Sequence, residues 1–237
     1  MTHATNAFRL AVFDVAGTTV LDGDAVAECL LTVVNQRVPV SMEEVLEVMG
    51  LPKPVAIRRL LSRPGINQGG DLGAAVLDAA VQEAHETFRA AMIERYRHGP
   101  IAPAEGAERV FATLRRAGVR VALDTGFSRD ILQTILDRLA WSSGAIDFSI
   151  ASDEVAHGRP QPDLIYRAMA LANVEDSVRV AKIGDTPSDM EQGLSARCGC
   201  VVGVTYGTHT REQLSRPGVQ TIDRLPDLLP LLGLDAG

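Results

Sequence analysis

Lysine is almost missing from this chain. Of its 23 basic residues only Lys53 and Lys182 are lysines, the rest being arginine. Arginine cannot replace lysine where a neutral amine must attack a carbonyl, so these two positions call for inspection. Cysteine is scarce as well: Cys29, Cys198 and Cys200 stand at no zinc-ligand spacing. Their odd number argues against a disulfide framework and for a reducing compartment, leaving all three as packing residues. No apolar run approaches the ~20 residues that span a bilayer, and Met1 to Arg9 is too polar for a secretory signal core. A soluble, cytoplasmic protein is expected. Positive charge is short too. A formal charge of -7 and a pI near 5.3 exclude a general affinity for nucleic acid or anionic membrane, while leaving room for a local basic pocket that holds a phosphate. There is no internal repeat and no low-complexity segment.

What is present is an ordinary globular composition, 46% hydrophobic and 22% charged over 237 residues, long enough for one domain with a sizeable insertion. The apolar run Leu10-Ala11-Val12-Phe13 stops at Asp14-Val15-Ala16-Gly17-Thr18-Thr19. A buried strand that ends on a carboxylate, a glycine and two hydroxyls would deliver Asp14 to the carboxyl edge of an open sheet, where such folds place their sites. A strand followed by a plain polar turn would have the same look.

Helical spacing follows in Ala25, Cys29, Leu30 and Val33, then Ser41-Met42-Glu43-Glu44 offers an N-cap to a helix running towards Gly50. Lys53 lies between Pro52 and Pro54. A residue before proline is pushed out of the helical region, so Lys53 is expected in a turn with Pro54 at the first helical position. The positive end of that helix would disfavour an ammonium and lower its pKa; a solvated loop lysine is the alternative. Residues 63–72 read as a loop, and Ala74 to Tyr96 as one long amphipathic helix or two short ones. No strand is predicted between about Asp22 and Gly99, so the block reads as a separate cap, with Gly99-Pro100-Ile101-Ala102-Pro103 as the return crossing.

Beyond it, strands are predicted over Val119–Leu123, Phe148–Ala151, Arg179–Ile183 and Cys200–Val204. Helices are predicted over Glu105–Ala117, Arg129–Leu139, Asp163–Ala172, up to Ala196, and Leu225–Leu232. The alternation implies an α/β fold: a Rossmann-like, doubly wound parallel sheet core (1–21 and 100–237) with an inserted all-helical cap domain (22–99). In such a sheet Asp14, Thr125 with Gly126, Arg159, and Asp185 with Asp189 share one edge. Carboxylates and backbone oxygens hold Mg²⁺, and a cation with amide donors carries phosphoryl oxygens.

These motifs, in order, resemble the haloacid dehalogenase superfamily across nearly the whole chain. Within it, Asp-Val-Ala-Gly-Thr-Thr at 14–19, Met49-Gly50-Leu51-Pro52-Lys53, Thr125-Gly126-Phe127-Ser128-Arg129, Gly158-Arg159-Pro160 and Gly184-Asp185-Thr186-Pro187-Ser188-Asp189-Met190 are similar to the phosphonoacetaldehyde hydrolase (phosphonatase) group. The resemblance implies Asp14 as nucleophile and Mg²⁺ held by Asp14, the Ala16 carbonyl and Asp185, with Asp189 close by. Thr125, the Gly126 amide and Arg159 would bind the phosphoryl group, and Ala16, Met49 and Gly50 would line the substrate. It also implies a homodimer.

Two departures from the usual phosphatase pattern go together. The second acid, two residues after the nucleophile, is replaced by Ala16, and a lysine stands in the cap at Lys53. A leaving group that departs as carbon needs an electron sink, and a Lys53 imine supplies one. Other departures lie within the phosphonatase pattern. Ala56 stands where a histidine is usual, Phe127 where a tyrosine is usual, and Asp24 at the place of a cysteine. The expected activity is therefore C–P hydrolysis of a small carbonyl phosphonate, with a phosphate monoesterase and a non-catalytic binding module as the competing readings.

Overall fold

The computed structural model of the protein describes residues 7–63 and 74–235. All but the first residue of the expected 63–72 loop lies outside them. Strand β1 (Leu10–Asp14) is buried along its whole length because helices cover both of its faces. Ala11 and Phe13 point into one core with Val110, Phe111 and Leu114 of α5 (Ala107–Arg116). Leu10 and Val12 point into the other, with Leu164, Ile165 and Ala168 of α7 (Asp163–Ala172).

Six parallel strands form the sheet in the order β5-β4-β1-β6-β7-β8. They are β4 (Arg120–Asp124), β5 (Phe148–Ile150), β6 (Val180–Gly184), β7 (Cys200–Val204) and β8 (Val219–Ile222) beside β1. The chain builds outward from β1 on one side and then returns to build on the other, so the order reverses beside Asp14. Crevices at such reversals are where open α/β sheets hold ligands. Strand β8 was not expected from the sequence: its Gln220 and Thr221 interrupt the apolar pattern, as an edge strand allows.

Four helices fill the stretch between Asp22 and Gly99, with no strand among its described residues: α1 (Ala25–Asn35), α2 (Met42–Leu46), α3 (Lys53–Leu61) and α4 (Ala74–His98). Helix α4 is one helix, with Val81, Ala84, Phe88, Met92 and Tyr96 forming its buried stripe. Helix α2 starts at the expected Ser41 capping box but ends at Leu46. The two crossings into and out of this block are paired, a feature the sequence did not reveal. The two-residue strands β2 (Val20–Leu21) and β3 (Ala102–Pro103) form an antiparallel ladder. One expectation needs correction. Helix α3 begins at Lys53 rather than Pro54, with Pro52 extended in the cap position and its carbonyl accepting from the Ala56 amide. The pre-proline bias is a steric preference against the helical region, and the packing of buried Lys53, Ala56 and Ile57 overrides it.

The remaining helices are α6 (Arg129–Arg138), α8 (Pro187–Ser195), the short α9 (Arg211–Leu214) and α10 (Leu228–Leu231). No helix among the described residues is long and apolar enough to cross a membrane.

Candidate active site

Asp14, at the end of β1, lies in register with Asp124 at the end of β4. Arg159 is 3% exposed, and its guanidinium joins two carboxylates: Nη2 donates to Asp14 Oδ1 at 2.6 Å and Nη1 to Asp189. Lys182, fully buried on β6, donates to Asp124 and lies 3.0 Å from Asp189 Oδ1. The opposite oxygen of Asp189 accepts from the Thr186 hydroxyl at 2.6 Å within the capping box that starts α8. Asp185 is not that helix's cap. It accepts from Thr18 Oγ1 at 3.1 Å and from the Thr208 amide at 2.7 Å.

These groups hold more negative charge than their cations balance. Among the described residues, the only cations that pair directly with Asp14, Asp124, Asp185 and Asp189 are Arg159 and Lys182, and all six are buried. Burial, reinforced by Asp189 and Asp185 against the pull of Arg159, pushes the Asp14 carboxyl up to about 8. Burial and Asp189 also raise Asp185. Burial opposes ionisation of Asp189 too, but Arg159 and Lys182 outweigh it and hold its carboxyl low. Two uncompensated carboxylates made of hard oxygen donors match the charge and chemistry of a divalent cation such as Mg²⁺. Asp14, Asp185 and Asp189 bring carboxylate oxygens within 4.8 Å of one another, so the residues present fit the metal.

Above this edge sits Lys53, 4% exposed. Its Nζ lies 5.5 Å from the Phe127 ring centre and 6.0 Å from that of Phe88. Those two rings stack at 6.5 Å, and Tyr96 meets Phe127 edge-on. The Lys53 ammonium makes no hydrogen bond or ion pair with any described residue. That burial removes the reading of a solvated loop lysine, and burial, with Arg159 adding to it, lowers its pKa to about 8.

Asp14, Ala16, Met49, Gly50, Lys53, Thr125, Gly126 and Arg159 all line one cavity of about 30 Å³. Asp185 and Asp189 lie beside it within the acidic cluster, so the residues singled out in the sequence converge on one place. Gly50 allows the close fit of the helical block to the sheet edge. Its φ is +82°, and a Cβ there would sit 2.2 Å from Thr186 Oγ1. Gly126 likewise lies against the Leu51 carbonyl, 2.8 Å from where its Cβ would be.

The model of the haloacid dehalogenase-like hydrolase family matches residues 11–202. The chain belongs to this family. Phosphonoacetaldehyde hydrolases of Bacillus cereus (strain AH820) and Bacillus anthracis are each 32% identical to it over 219 residues, 90% of this chain and 81% of theirs. Among solved structures, a phosphonoacetaldehyde hydrolase-like protein from Oleispira antarctica matches with a TM-score of 0.80 at 21% identity, covering 97% of this chain and 92% of that one. A putative phosphoglycolate phosphatase from Lactobacillus delbrueckii subsp. bulgaricus matches at 0.72 and 20%, covering 93% and 96%. These structural likenesses speak for the fold.

In this haloacid dehalogenase-like hydrolase several neighbours of the site had drawn no functional reading in the sequence. Asp124, at the end of β4, and Phe88, on the buried stripe of α4, are two of them. Tyr96 donates to Asp22 Oδ2 at 2.6 Å, a buried pair beneath Phe127. Lys182 did carry a signal, its rarity.

Proposed function

We propose that this hydrolase cleaves the C–P bond of phosphonoacetaldehyde or a close carbonyl phosphonate. The observation that carries the reading is an unpaired, buried amine, Lys53, lining the same cavity as Asp14. The 32% identity to phosphonoacetaldehyde hydrolases supports it.

The neutral Lys53 amine adds to the aldehyde carbon and loses water to give an imine, whose protonated nitrogen is the electron sink. The Asp14 carboxylate attacks phosphorus. The C–P electron pair moves into the iminium as an enamine, which takes a proton at carbon. Water then releases acetaldehyde and restores Lys53, and a second water hydrolyses the aspartyl phosphate to free phosphate and Asp14. Arg159, Thr125 and the Gly126 amide hold the phosphoryl oxygens, while Met49 and Gly50 close the cavity over the aldehyde end. Ala16 has no proton to give and none is needed, because no alkoxide leaves. Mg²⁺ held by Asp14, the Ala16 carbonyl and Asp185, with Asp189 nearby, would offset the negative charge between carboxylate and phosphonate. The active species is proposed to be a cytoplasmic homodimer acting on a small molecule.

Borohydride treatment in the presence of phosphonoacetaldehyde tests the mechanism. Inactivation with a mass adduct at Lys53 is expected; no adduct, together with full activity of Lys53→Arg, overturns it. Phosphate release measured side by side from phosphonoacetaldehyde and from phosphate monoesters separates the reading from that of an ester hydrolase.

A further inference from the structure

The cavity that holds Asp14 and Lys53, at about 30 Å³, has room for only about two waters. A second chamber of about 270 Å³ opens beside it. The two share Ala16, Val26, Met49 and Thr208, whereas Asp14, Lys53, Thr125 and Arg159 line only the smaller one. The shared residues come from both the sheet edge (Ala16, Thr208) and the helical block (Val26, Met49), so the junction lies between the Asp14 end of the site and the Lys53 end. With phosphorus at Asp14 and the carbonyl carbon at Lys53, the atom between those two ends, and so the one facing the junction, is the carbon bonded to phosphorus. A larger side chain at position 16 would thicken the wall at this junction; Ala16 keeps it thin.

Beyond the junction the chamber is walled by Leu21, Ala27 and Leu46, with Asp22 and Asp24 as its carboxylates. Asp22 is occupied by Tyr96. Asp24 is exposed, makes no side-chain cap to α1, and adopts a left-handed backbone at φ 64°. Apolar groups gain from such a wall, and an anionic group entering it would meet like charge.

We propose that this chamber is a subsite for an apolar branch on the carbon bonded to phosphorus, so that the enzyme accepts 2-phosphonoalkanals and rejects those whose branch ends in a carboxylate. The inference rests on the C–P hydrolase reading and specifies its substrate class.

Steady-state kinetics on phosphonoacetaldehyde, 2-phosphonobutanal and 4-oxo-3-phosphonobutanoate test it, in the wild type and in Leu21→Trp. Leu21 is half exposed on β2 and lines only the chamber, so tryptophan fills the subsite from its rim. The wild type should cleave 2-phosphonobutanal with kcat/KM within about threefold of phosphonoacetaldehyde or above it, and the carboxylate analogue at least about tenfold more slowly. Leu21→Trp should lower kcat/KM for 2-phosphonobutanal by about tenfold or more and leave phosphonoacetaldehyde within about twofold. Ala27→Leu, on the opposite wall, should act in the same direction. A wild type that cleaves phosphonoacetaldehyde but not 2-phosphonobutanal overturns the subsite alone, as does a Leu21→Trp variant that slows both aldehydes equally. If neither aldehyde is cleaved, the C–P hydrolase reading falls and the subsite with it.

Discussion

Keeping Lys53 unpaired among aromatic rings should cost the folded protein stability, and the cost can be measured without substrate. Its pKa falls from 10.5 in the open chain to about 8 when folded. At roughly 1.4 kcal/mol per pH unit, holding the ammonium in that pocket costs about 3 kcal/mol. Below pH 8 both folded and unfolded chains carry the proton, so the full cost applies. Between pH 8 and 10.5 the folded state has released its proton while the unfolded chain keeps it, and the cost shrinks; above that range it is gone. Methionine has similar reach, carries no charge, and sets a thioether against Phe88 and Phe127. Lys53→Met should therefore abolish the proposed C–P cleavage while making the protein more stable at pH 7, by up to about 3 kcal/mol. Urea unfolding of both proteins at a series of pH values from 7 to 10 gives the difference directly. A Lys53→Met protein that is less stable at pH 7, or whose gain is the same at every pH, refutes the account of a buried, uncompensated amine.

Two further outcomes follow from the charge arrangement at the sheet edge. Lys182→Met leaves Asp124 and Asp189 buried without their ammonium, which should cost about 3–5 kcal/mol; adding Asp124→Asn should recover part of the loss in denaturant titrations. Mg²⁺ should raise the melting temperature, with a gain near 2.7 kcal/mol at about a hundred times its dissociation constant, and Asp185→Asn should remove most of that shift.

The parts of this molecule legible in the sequence were those fixed by short-range rules. Strand β1 announced itself because a strand buried on both faces must be apolar throughout, and Asp14 because the run stopped there. The ladder between β2 and β3 was illegible because two-residue strands leave no periodicity, and Pro103 speaks against a strand on propensity alone. Likewise the start of α3 at Lys53 hangs on one residue's dihedrals, which packing decides. The convergence of the site residues was legible through topology: strand ends of a parallel sheet share an edge. The roles of Asp124 and Phe88 were not, since a carboxylate met by Lys182 and a ring beneath Lys53 depend on contacts between residues far apart in the chain. Nor does any sequence pattern reveal that the amine lacks a partner, the property on which the chemical reading turns.

Ala16 offers the sharpest separation of the two hydrolytic readings. Placing an acid there, Ala16→Asp, supplies a proton donor two residues from the nucleophile, at a position that lines both cavities. For an alkyl phosphate, whose alkoxide leaves poorly without a proton, general acid catalysis is worth about 10²- to 10⁴-fold. For p-nitrophenyl phosphate, whose phenolate leaves unaided, the same side chain contributes little. On the proposed mechanism phosphonoacetaldehyde needs no acid and loses room beside Asp14, so its turnover should fall. If Ala16 marks a site built for carbon leaving groups, Ala16→Asp should raise alkyl phosphate hydrolysis relative to both of the other substrates. An enzyme that already hydrolyses alkyl phosphates well and gains nothing from the acid must obtain its proton elsewhere. In that case the absence of an acid at position 16 loses its connection to Lys53.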